Sequence, residues 1–397
     1  MTFFSPAAWQ GGKPAVPKLP QCGKCGLARQ CLSPKMPPTG TGKRSILFVA
    51  EAPGEEEDRR GTQLVGKSGQ KLRKDLKRLG VDLDSCHKTN AIICRPPDNQ
   101  VQDVHIESCR PNILRTIRER KPSVIVLLGG SAVRSLIPTE RDASVGGISR
   151  WVGWTIPSHE HQAWICPTYH PSYLLRMEEP VLDLMFLQHL KAAIALEDKP
   201  ITSEPLSALK ERVELITSPR LARKRLRVLG KKTGRLAFDY ETTGLKPDRE
   251  GHRLVCASFC LEGEDTFACM LDESTQEPLR RVLRNPDLLK IASNLKHEER
   301  WSVAKLGTRV AGWFHDTMLA AHVHDNRPGI TSIKFQAFIH FGIADYDAVV
   351  APFFENTNEE GFNRCEEVPV KDLLTYNGLD SLLEFMVMEK QRKAMRL

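Results

Sequence analysis

Two carboxylates, Asp239 and Glu241, stand two residues apart where an apolar segment ends, within residues 236–244. Because residues i and i+2 of a strand point to the same face, both carboxylates would face one way. Hard divalent ions such as Mg²⁺ prefer oxygen ligands, and two such ions can stabilise the attacking and leaving oxygens of a phosphodiester. The pair therefore indicates metal-dependent phosphodiester hydrolysis. A solvated acidic pair near a strand end is the simpler interpretation of these two residues taken alone.

Further acidic residues and a tyrosine follow in a fixed order. Glu298 comes after an apolar segment, and Asp316 has the position of a helix N-cap. Tyr376 and Asp380 are four residues apart and would share one helix face. The order Asp-x-Glu, Asn-Leu-Lys-x-acid, Asp-Thr-Met-Leu and Tyr-x3-Asp resembles the DEDDy 3′–5′ exonucleases, which include the proofreading domain of family A DNA polymerases.

This resemblance covers residues 211–397 and implies an RNase H-like domain that acts on single-stranded 3′ ends of DNA. It implies nucleic-acid contacts from Asn294 and Lys296, and it implies that Tyr376 orients the attacking water. It also implies that two divalent ions, Mg²⁺ or Mn²⁺, are held by four carboxylates, those of Asp239, Glu241, Glu298 and Asp380.

Glu298 departs from the exonuclease pattern, which has aspartate at this position. The extra methylene of glutamate shifts its oxygens by about one C–C bond, and a misplacement of ~1 Å can cost ~100-fold in rate. A slower nuclease and a vestigial DNA-binding module are the two alternatives. The intact tyrosine and remaining carboxylates favour retained activity.

A second set of chemically capable residues consists of cysteines. Cys22 and Cys25 form a C-x2-C pair in a glycine-rich loop, and Cys94 and Cys109 lie far downstream, with Cys31 as a spare candidate. Four thiolates suit zinc or an iron–sulfur cluster, and the spacing alone favours zinc over free buried thiols. The total of 11 cysteines is odd, which favours thiols or metal ligands over a disulfide framework.

The segments around these cysteines resemble family 4 uracil-DNA glycosylases. The motifs are those of residues 49–58 and 61–69, Thr89-Asn90 followed by Cys94-Arg-Pro-Pro, and the His-Pro-Ser segment of residues 168–176. The resemblance spans residues 20–195, with every motif in order. It implies a structural [4Fe–4S] cluster held by Cys22, Cys25, Cys94 and Cys109.

The same resemblance implies a pocket for a base that has left the stack. Asn90 would pair with the pyrimidine edge, and His170 would stabilise negative charge on the leaving uracil, with Glu51 in the catalytic set. Ser172 and Arg176 would contact the nucleic acid.

Two departures affect this pocket. Ala50 replaces the usual glycine before Glu51, and Gln63-Leu64 replaces the usual Pro-Phe. The phenylalanine would stack on the base, which is worth ~1–3 kcal/mol, and Leu64 has no aromatic face. Three alternatives follow for this pocket. It binds uracil weakly, it binds a modified base, or it only binds DNA.

Alternating strands and helices must position these residues. Period and composition predict strands at 46–50, 89–93, 123–128 and 163–166 and helices at 69–79, 109–120 and 181–195. The alternation predicts an α/β/α sandwich with a parallel sheet. A basic helix at 219–229 precedes the strand of Asp239, either as an amphipathic surface helix or as a patch that contacts a nucleic-acid backbone.

The chain is divided accordingly into an irregular arm (1–20), a glycosylase-like iron–sulfur domain (21–197), a linker (198–210) and an exonuclease domain (211–397). Its 57 basic and 49 acidic residues give a charge of +8, which suits a polyanionic partner without proving one. We find no apolar run of membrane-spanning length and no signal peptide. A membrane partner is therefore not expected, and the cytoplasm of a prokaryotic or phage-infected cell is the expected location.

The main functional hypothesis is a metal-dependent 3′–5′ DNA exonuclease that carries a [4Fe–4S] glycosylase-fold domain. This arrangement resembles the N-terminal part of some phage-type family A DNA polymerases, so a polymerase is the implied partner. The first alternative is an active uracil-DNA repair glycosylase with an end-trimming nuclease. The second is a non-catalytic DNA-binding replication accessory.

Overall fold

A computed structural model describes residues 24–141, 145–355 and 361–397. The described residues form two compact units that divide between Pro200 and Ile201. The predicted N-terminal arm and Cys22 lie outside the described residues.

A five-stranded sheet is the centre of the first unit. Its strands are β1 (Ile46–Ala50), β2 (His87–Asn90), β3 (Val124–Leu128), β4 (Ile156–Ser158) and β5 (Ala163–Thr168). Their order is β2-β1-β3-β5-β4, with β4 antiparallel to β5 and every other pairing parallel. Every residue of β1 and β3 is buried, as expected for parallel strands that are covered on both faces.

The described residues of this unit form six helices around the sheet: α1 (Glu55–Arg60), α2 (Lys67–Arg78), α3 (Asp103–Arg120), α4 (Gly130–Glu140), α5 (Pro171–Met177) and α6 (Pro180–Ile194). Helix α3 begins six residues before the predicted start at Cys109. No strong N-cap residue precedes this helix, but the backbone N–H of Gln102 donates to His105 Nδ1 at 3.1 Å and so supports the first turn. The predicted α/β class with a parallel sheet is confirmed.

The second unit contains a six-stranded mixed sheet. Its strands are β6 (Val213–Ile216), β7 (Gly234–Thr242), β8 (Leu254–Leu261), β9 (Thr266–Met270), β10 (Leu288–Ala292) and β11 (Trp313–Asp316). The order is β11-β10-β7-β8-β9-β6. The central strand β7 is parallel to β10 and antiparallel to β8, and it carries Asp239 and Glu241.

Eight helices belong to the second unit: α7 (Leu206–Glu211), α8 (Pro219–Leu229), α9 (Glu273–Arg284), α10 (Leu295–Leu306), α11 (Thr317–His324), α12 (Ile333–Phe341), α13 (Ala351–Phe354) and α14 (Val370–Met395). Helix α7 overlaps the segment 198–210 that the sequence predicts to be a linker. Leu209 of this helix is fully buried in the core of the second unit, so the second half of that segment is part of the domain. Leu206 and Leu209 have helical spacing, but the Pro and Ser residues nearby are typical of a linker, so the helix was not predicted.

Helix α14 is the element that brings the last motif to the sheet. It spans 26 residues and packs across β7, β8 and β9. The absence of a side chain at Gly378 permits this approach, because a Cβ there would lie 2.2 Å from Val213 Cγ1. This close packing sets the distance of Asp380 from the two carboxylates on β7.

Within the described residues, no helix combines the length and the apolar character that crossing a membrane requires.

Candidate active sites

Three carboxylates of the second unit converge. Oxygens of Asp239, Glu241 and Asp380 all lie within 4.8 Å of one another. Asp239 and Glu241 project from β7 with one residue between them, and Asp380 reaches them from α14. The strand period and the helix packing therefore bring together three of the four carboxylates that the sequence predicted as metal ligands.

Hydrogen bonds orient two members of this group. Asn377 Nδ2 donates to Asp239 Oδ2 at 2.7 Å, and the Tyr346 hydroxyl donates to Asp380 Oδ1 at 2.5 Å. Tyr376 lies one helical turn before Asp380 on α14, and its ring stacks on that of Tyr346 with centroids 5.9 Å apart. The predicted tyrosine is thus at the site, with a second tyrosine that no motif indicated.

The electrostatics of the group favour capture of a cation. Burial and then the neighbouring Asp380 charge raise the pKa of Asp239 well above its usual value, and burial and then the Asp239 charge do the same to the pKa of Glu241. Burial also raises the pKa of Asp380 to about 6, against the opposing effect of Lys334. Like charges this close are destabilised until a cation or protons join them.

Lys334 was not predicted from the sequence. Its Nζ lies 5.5 Å from the Tyr376 ring centroid and 2.5 Å from Asp347 Oδ2. Helix α12 carries it to the carboxylates from a segment without a recognisable motif, so only the tertiary fold reveals it.

Glu298 lies near the three-carboxylate group without being part of it. Its side chain is 2% exposed at the start of α10, and its Oε2 has no hydrogen-bond partner among the described residues. Burial and then the charge of Asp239 raise the pKa of Glu298 well above its usual value. The predicted fourth ligand is therefore deep in the protein, next to Asp239.

Asp316 fixes the start of α10. Its carboxylate accepts hydrogen bonds from the backbone N–H groups of Met318 and Leu319, which cap α11 as predicted. It also accepts N–H groups of Asn294 and Leu295, each at 3.1 Å. Asn294 adopts a left-handed backbone conformation with φ of 70° at the junction between β10 and α10.

Lys296, the other predicted nucleic-acid contact in this segment, is exposed on the first turn of α10. It is available to a strand that approaches the carboxylates, whereas Asn294 contributes to the shape of the site through its backbone.

Glu384 is a further buried acid that sequence reasoning missed. It lies one helical turn after Asp380 on α14 and is 1% exposed. Its spacing of four residues from Asp380 was a signal, because both residues must share one helix face.

The first unit contains a pocket of about 310 Å³ at the carboxyl ends of its parallel strands, where α/β sheets usually bind ligands. Six residues that the sequence singled out line it together: Glu51, Leu64, Asn90, His170, Ser172 and Arg176. The sequence therefore identified the residues that share this pocket, although they come from four separate segments.

Close packing holds the floor of the pocket in place. Glu51 Oε1 accepts the backbone N–H of Ser131 at 3.2 Å, which anchors it to α4. At Gly129, φ is 89° and a Cβ would lie 2.9 Å from both Glu51 Oε1 and His170 Cβ. Only glycine therefore allows these two side chains to meet here.

His170 is held as a neutral imidazole. Its Nδ1 accepts the backbone N–H of Ser172 at 3.2 Å and lies 2.7 Å from Ser172 Oγ. Burial lowers the pKa of His170, although the charge of Glu51 opposes the shift. With Nδ1 accepting, the ring proton resides on Nε2, where it can be donated to a ligand oxygen.

Asn90 supplies an unused donor. It is 2% exposed at the end of β2, and its Nδ2 has no partner among the described residues. A buried amide without a partner costs free energy, so the pocket is built for a ligand that carries an acceptor.

Leu64 lies at the wall of the pocket and belongs to the apolar core of the first unit. Glu57 fixes the loop beside it by accepting the N–H groups of Val65 and Gly66 at 3.0 and 2.7 Å. The neighbouring Gln63 is fully buried and donates to Pro37 O at 2.6 Å. Gln63 thus has a structural role that the sequence did not indicate.

Four cysteines gather in one apolar cluster beside this pocket: Cys25, Cys31, Cys94 and Cys109. Cys94 Sγ accepts the backbone N–H of Lys35 at 3.2 Å. Burial raises the pKa of the Cys94 thiol to about 12, with contributions from Cys31 and Cys109. Cys25, Cys31 and Cys94 form no disulfide bond with another described residue.

Comparisons with known proteins agree with this division of the chain. Residues 37–195 match the family model of the uracil-DNA glycosylase superfamily, and residues 213–389 match that of 3′–5′ exonucleases. The type-4 uracil-DNA glycosylase of Saccharolobus solfataricus is 31% identical over 187 residues, which cover 46% of this chain and 85% of the relative. That of Pyrobaculum aerophilum is 34% identical over 157 residues, covering 39% and 80% respectively.

Among solved structures, that of Brucella melitensis NrnC bound to pGG has 16% sequence identity and a TM-score of 0.34, covering 46% of this chain and 79% of that one. The predicted fusion of a glycosylase-like domain with a 3′–5′ exonuclease domain is confirmed by the two family matches. The chain belongs to the uracil-DNA glycosylase superfamily, as a relative of its type-4 members, and carries a 3′–5′ exonuclease domain of the hydrolase class in its second unit.

Proposed function

We propose that the chain is a metal-dependent 3′–5′ DNA exonuclease whose site is the carboxylate group of the second unit. The observation that carries this proposal is the convergence of Asp239, Glu241 and Asp380 within 4.8 Å, inside a domain of the exonuclease family. Oxygen donors in this number match the preference of Mg²⁺ and Mn²⁺.

In the proposed reaction, a water oxygen attacks the last phosphodiester. The bond from phosphorus to the 3′ oxygen of the preceding nucleotide breaks, that oxygen takes up a proton, and the terminal nucleotide leaves as a 5′-monophosphate. Bound divalent ions would stabilise charge on the attacking and leaving oxygens. Asp239, Glu241 and Asp380 would hold these ions, with Glu298 behind Asp239.

The remaining side chains position the reactants. Tyr376 shares a face of α14 with Asp380, whose charge acts on the Tyr376 phenol, so its hydroxyl would lie close to the attacking water. Lys334 carries a positive charge beside Tyr376 and Asp380 and would attract the phosphate. Lys296 is exposed at the start of α10 and would contact the strand upstream.

A single-stranded oligonucleotide with a 5′ label tests this proposal. We expect a ladder of products that shorten from the 3′ end in Mg²⁺ or Mn²⁺, no products in EDTA, and protection by a blocked 3′ end. Shortening from the 5′ end, or an intact substrate in both metals, would contradict the proposal.

We also propose that the first unit binds DNA through an extruded base. Asn90 Nδ2 supports this, because it is a buried donor without a partner that faces the pocket. It could donate to the O4 atom of uracil, while the Nε2 proton of neutral His170 is placed to stabilise charge on the leaving base. Lys67 and Arg176 are exposed at the rim and would contact the flanking phosphates.

Uracil excision is expected to be weak, because Leu64 replaces the stacking phenylalanine. Loss of ~1–3 kcal/mol of stacking lowers transition-state binding by ~5- to 150-fold. Leu64→Phe should therefore increase the excision rate on a uracil-containing strand, while Leu64→Met, a control of similar volume without an aromatic face, should not. Excision by the unmodified protein at rates typical of repair glycosylases would refute the proposed impairment.

A [4Fe–4S] cluster is proposed as the structural group of the first unit. The donors are chemically suitable, because four cysteines belong to one apolar cluster and the Cys94 sulfur accepts an N–H hydrogen bond of the kind that cluster sulfurs use. Cys25, Cys94 and Cys109 would be ligands together with Cys22, and Cys31 is the alternative fourth ligand. The cluster would tie the loop of Cys25 to α3 and to the segment after β2.

A DNA polymerase is proposed as the partner on the basis of the resemblance of residues 211–397 to family A proofreading domains. Two other functions remain as alternatives: a repair glycosylase with an end-trimming nuclease, and a non-catalytic DNA-binding accessory. The converged carboxylates favour the exonuclease over the accessory, and Leu64 disfavours the glycosylase.

A further inference from the structure

Glu384 has one satisfied oxygen and one unsatisfied oxygen. Its Oε1 accepts the backbone N–H of Ser293 at 3.0 Å, which joins α14 to the end of β10. Its Oε2 is buried and has no partner among the described residues, and the same is true of Glu298 Oε2. The charge of Asp239 acts on both residues, so two orphaned carboxylate oxygens belong to its surroundings.

A purely structural role does not explain this arrangement. A neutral glutamine would accept the Ser293 N–H equally well and would avoid burying a charge. The groups that act on Glu384 besides Ser293 are anions, namely Asp239, Glu298 and Asp380. Buried anions without compensation are unfavourable, so the missing component is a positive charge.

Lys334 does not supply this charge. The acidic groups that act on Lys334 are Asp380, Asp347 and Glu241, and Lys334 is not among the groups that act on Glu384. The carboxylates of Glu298 and Glu384 also stay outside the three-carboxylate group. They would therefore reach a divalent ion through its water ligands, several of which Mg²⁺ usually retains.

We propose that Glu298 and Glu384 together hold the hydration shell of a divalent cation beside Asp239, with Glu384 as a positioning residue for the nuclease. This inference rests on the proposed exonuclease function and adds to it a residue outside the four exonuclease motifs. The chemical class of the ligand is a hydrated divalent cation, Mg²⁺ or Mn²⁺.

Glu384→Gln tests the proposal in the full chain, because it keeps the shape and the acceptor for Ser293 N–H. Without metal the variant should be more stable than the unmodified protein, since one buried anion is gone. The increase in melting temperature on adding Mn²⁺ should become smaller, and the Mn²⁺ concentration for half-maximal nuclease rate should rise by about tenfold or more. Glu389→Gln is the matched control, since it removes an exposed charge from the same helix.

The outcomes separate this proposal from the nuclease function. A Glu384→Gln variant with unchanged Mn²⁺ dependence in both measurements, or one that is less stable without metal, would overturn it. Glu298→Gln should reproduce the pattern and provides a second test if the first variant folds poorly. If the unmodified protein has no nuclease activity, the nuclease proposal fails, whereas the thermal shift with Mn²⁺ still tests the cation site.

A second inference comes from α8, on the other face of the same sheet. The helix buries Ala222, Leu226 and Leu229 against the core that contains Phe238 and Tyr240. Residues 201–397 contain 29 basic and 29 acidic residues, but segment 219–232 has seven basic residues and no acidic one. The remainder of this unit therefore has 22 basic against 29 acidic residues, so its positive charge is concentrated in one place.

Basic side chains dominate the exposed side of α8. A depression of about 820 Å³ is lined by two exposed aliphatic residues, a serine and six cations, which are Arg220, Arg223, Lys224, Arg227, Lys231 and Lys232. Of these six, only Lys232 forms an ion pair in the described part of the chain, with Glu264. Unpaired cations without intervening acids match the regular charges of a nucleic-acid backbone.

We infer that this basic face binds the phosphate backbone of a DNA strand, as a site separate from the catalytic carboxylates. Arg220, Lys224 and Arg227 are spaced to lie on one face of α8. Replacing all three with glutamine should weaken binding of a 30-nucleotide strand in EDTA and reduce the salt dependence, with a slope smaller by about 2.

Digestion of a trinucleotide should remain unchanged, because it is too short to reach both sites. The matched control replaces Lys210, Lys393 and Arg396, which are exposed elsewhere in the same unit. Equal binding losses in both triple variants, or no loss in the first, would refute the second site. Binding is measured without metal, so failure of the nuclease proposal would not affect this test.

Discussion

Asp239→Asn is expected to lower the Mg²⁺-dependent 3′ digestion of single-stranded DNA by at least ~1000-fold. The charge of Asp239 acts on three other buried acids, Glu241, Glu298 and Glu384. An amide at this position keeps the hydrogen-bonding shape but removes the negative charge that a divalent ion requires. The initial rate of mononucleotide release from a 5′-labelled strand measures the effect.

Asp265→Asn is the control for this experiment, because Asp265 is exposed in the same unit and distant from the site in sequence. The control should digest DNA at the unmodified rate. An Asp239→Asn protein with unmodified activity, after contaminating nucleases are excluded, would show that the carboxylate group is not the nuclease site.

The second large effect concerns the cysteines. Protein purified without oxygen should be brown, absorb near 400 nm and contain about four iron atoms per chain. Cys94→Ser should remove the iron and lower the melting temperature of the first unit by about 10 °C, because a ligand joins two segments of the fold. Iron analysis and thermal unfolding followed by circular dichroism provide the two measurements.

Cys256→Ser is the matched control, because Cys256 is equally buried but lies in the second unit with a packing role. It should retain all the iron. Stoichiometric zinc without iron would falsify the cluster proposal. Loss of iron in Cys31→Ser but not in Cys22→Ser would identify Cys31 as the fourth ligand.

The sequence predicted the parts of both sites that lie in short, spaced motifs. Asp239 and Glu241 are brought together by the strand period alone, and the pocket of the first unit collects Glu51, Asn90 and His170 as expected. Glu51, Asn90 and His170 each follow or end a strand, and parallel strands carry their ends to one edge of a sheet.

The residues that sequence reasoning missed depend on tertiary contacts. Lys334 reaches the carboxylates because α12 packs on α14. Neither helix has a sequence motif that predicts this contact. Gln63 is buried because it binds Pro37, 26 residues earlier in the chain. From the sequence alone, Glu384 is expected to be an exposed acidic residue of a helix. The structure shows that it is buried and that its Oε2 has no partner among the described residues.

Secondary-structure boundaries were less predictable than element types. The basic helix α8 has the predicted bounds, because proline opens it and glycine follows it. By contrast, α3 starts before its predicted position, since the polar residues of its first turn lack apolar periodicity. Helix α7 was not predicted, because it begins directly after a proline-containing segment.

Anomalous diffraction from crystals of the full chain grown with Mn²⁺ would test the central claim most directly. The proposed nuclease site predicts an anomalous peak bounded by Asp239, Glu241 and Asp380, and a second peak toward Glu298 and Glu384. An absence of Mn²⁺ from these carboxylates at saturating metal, in crystals whose site is open to solvent, would contradict the claim that they form the catalytic centre.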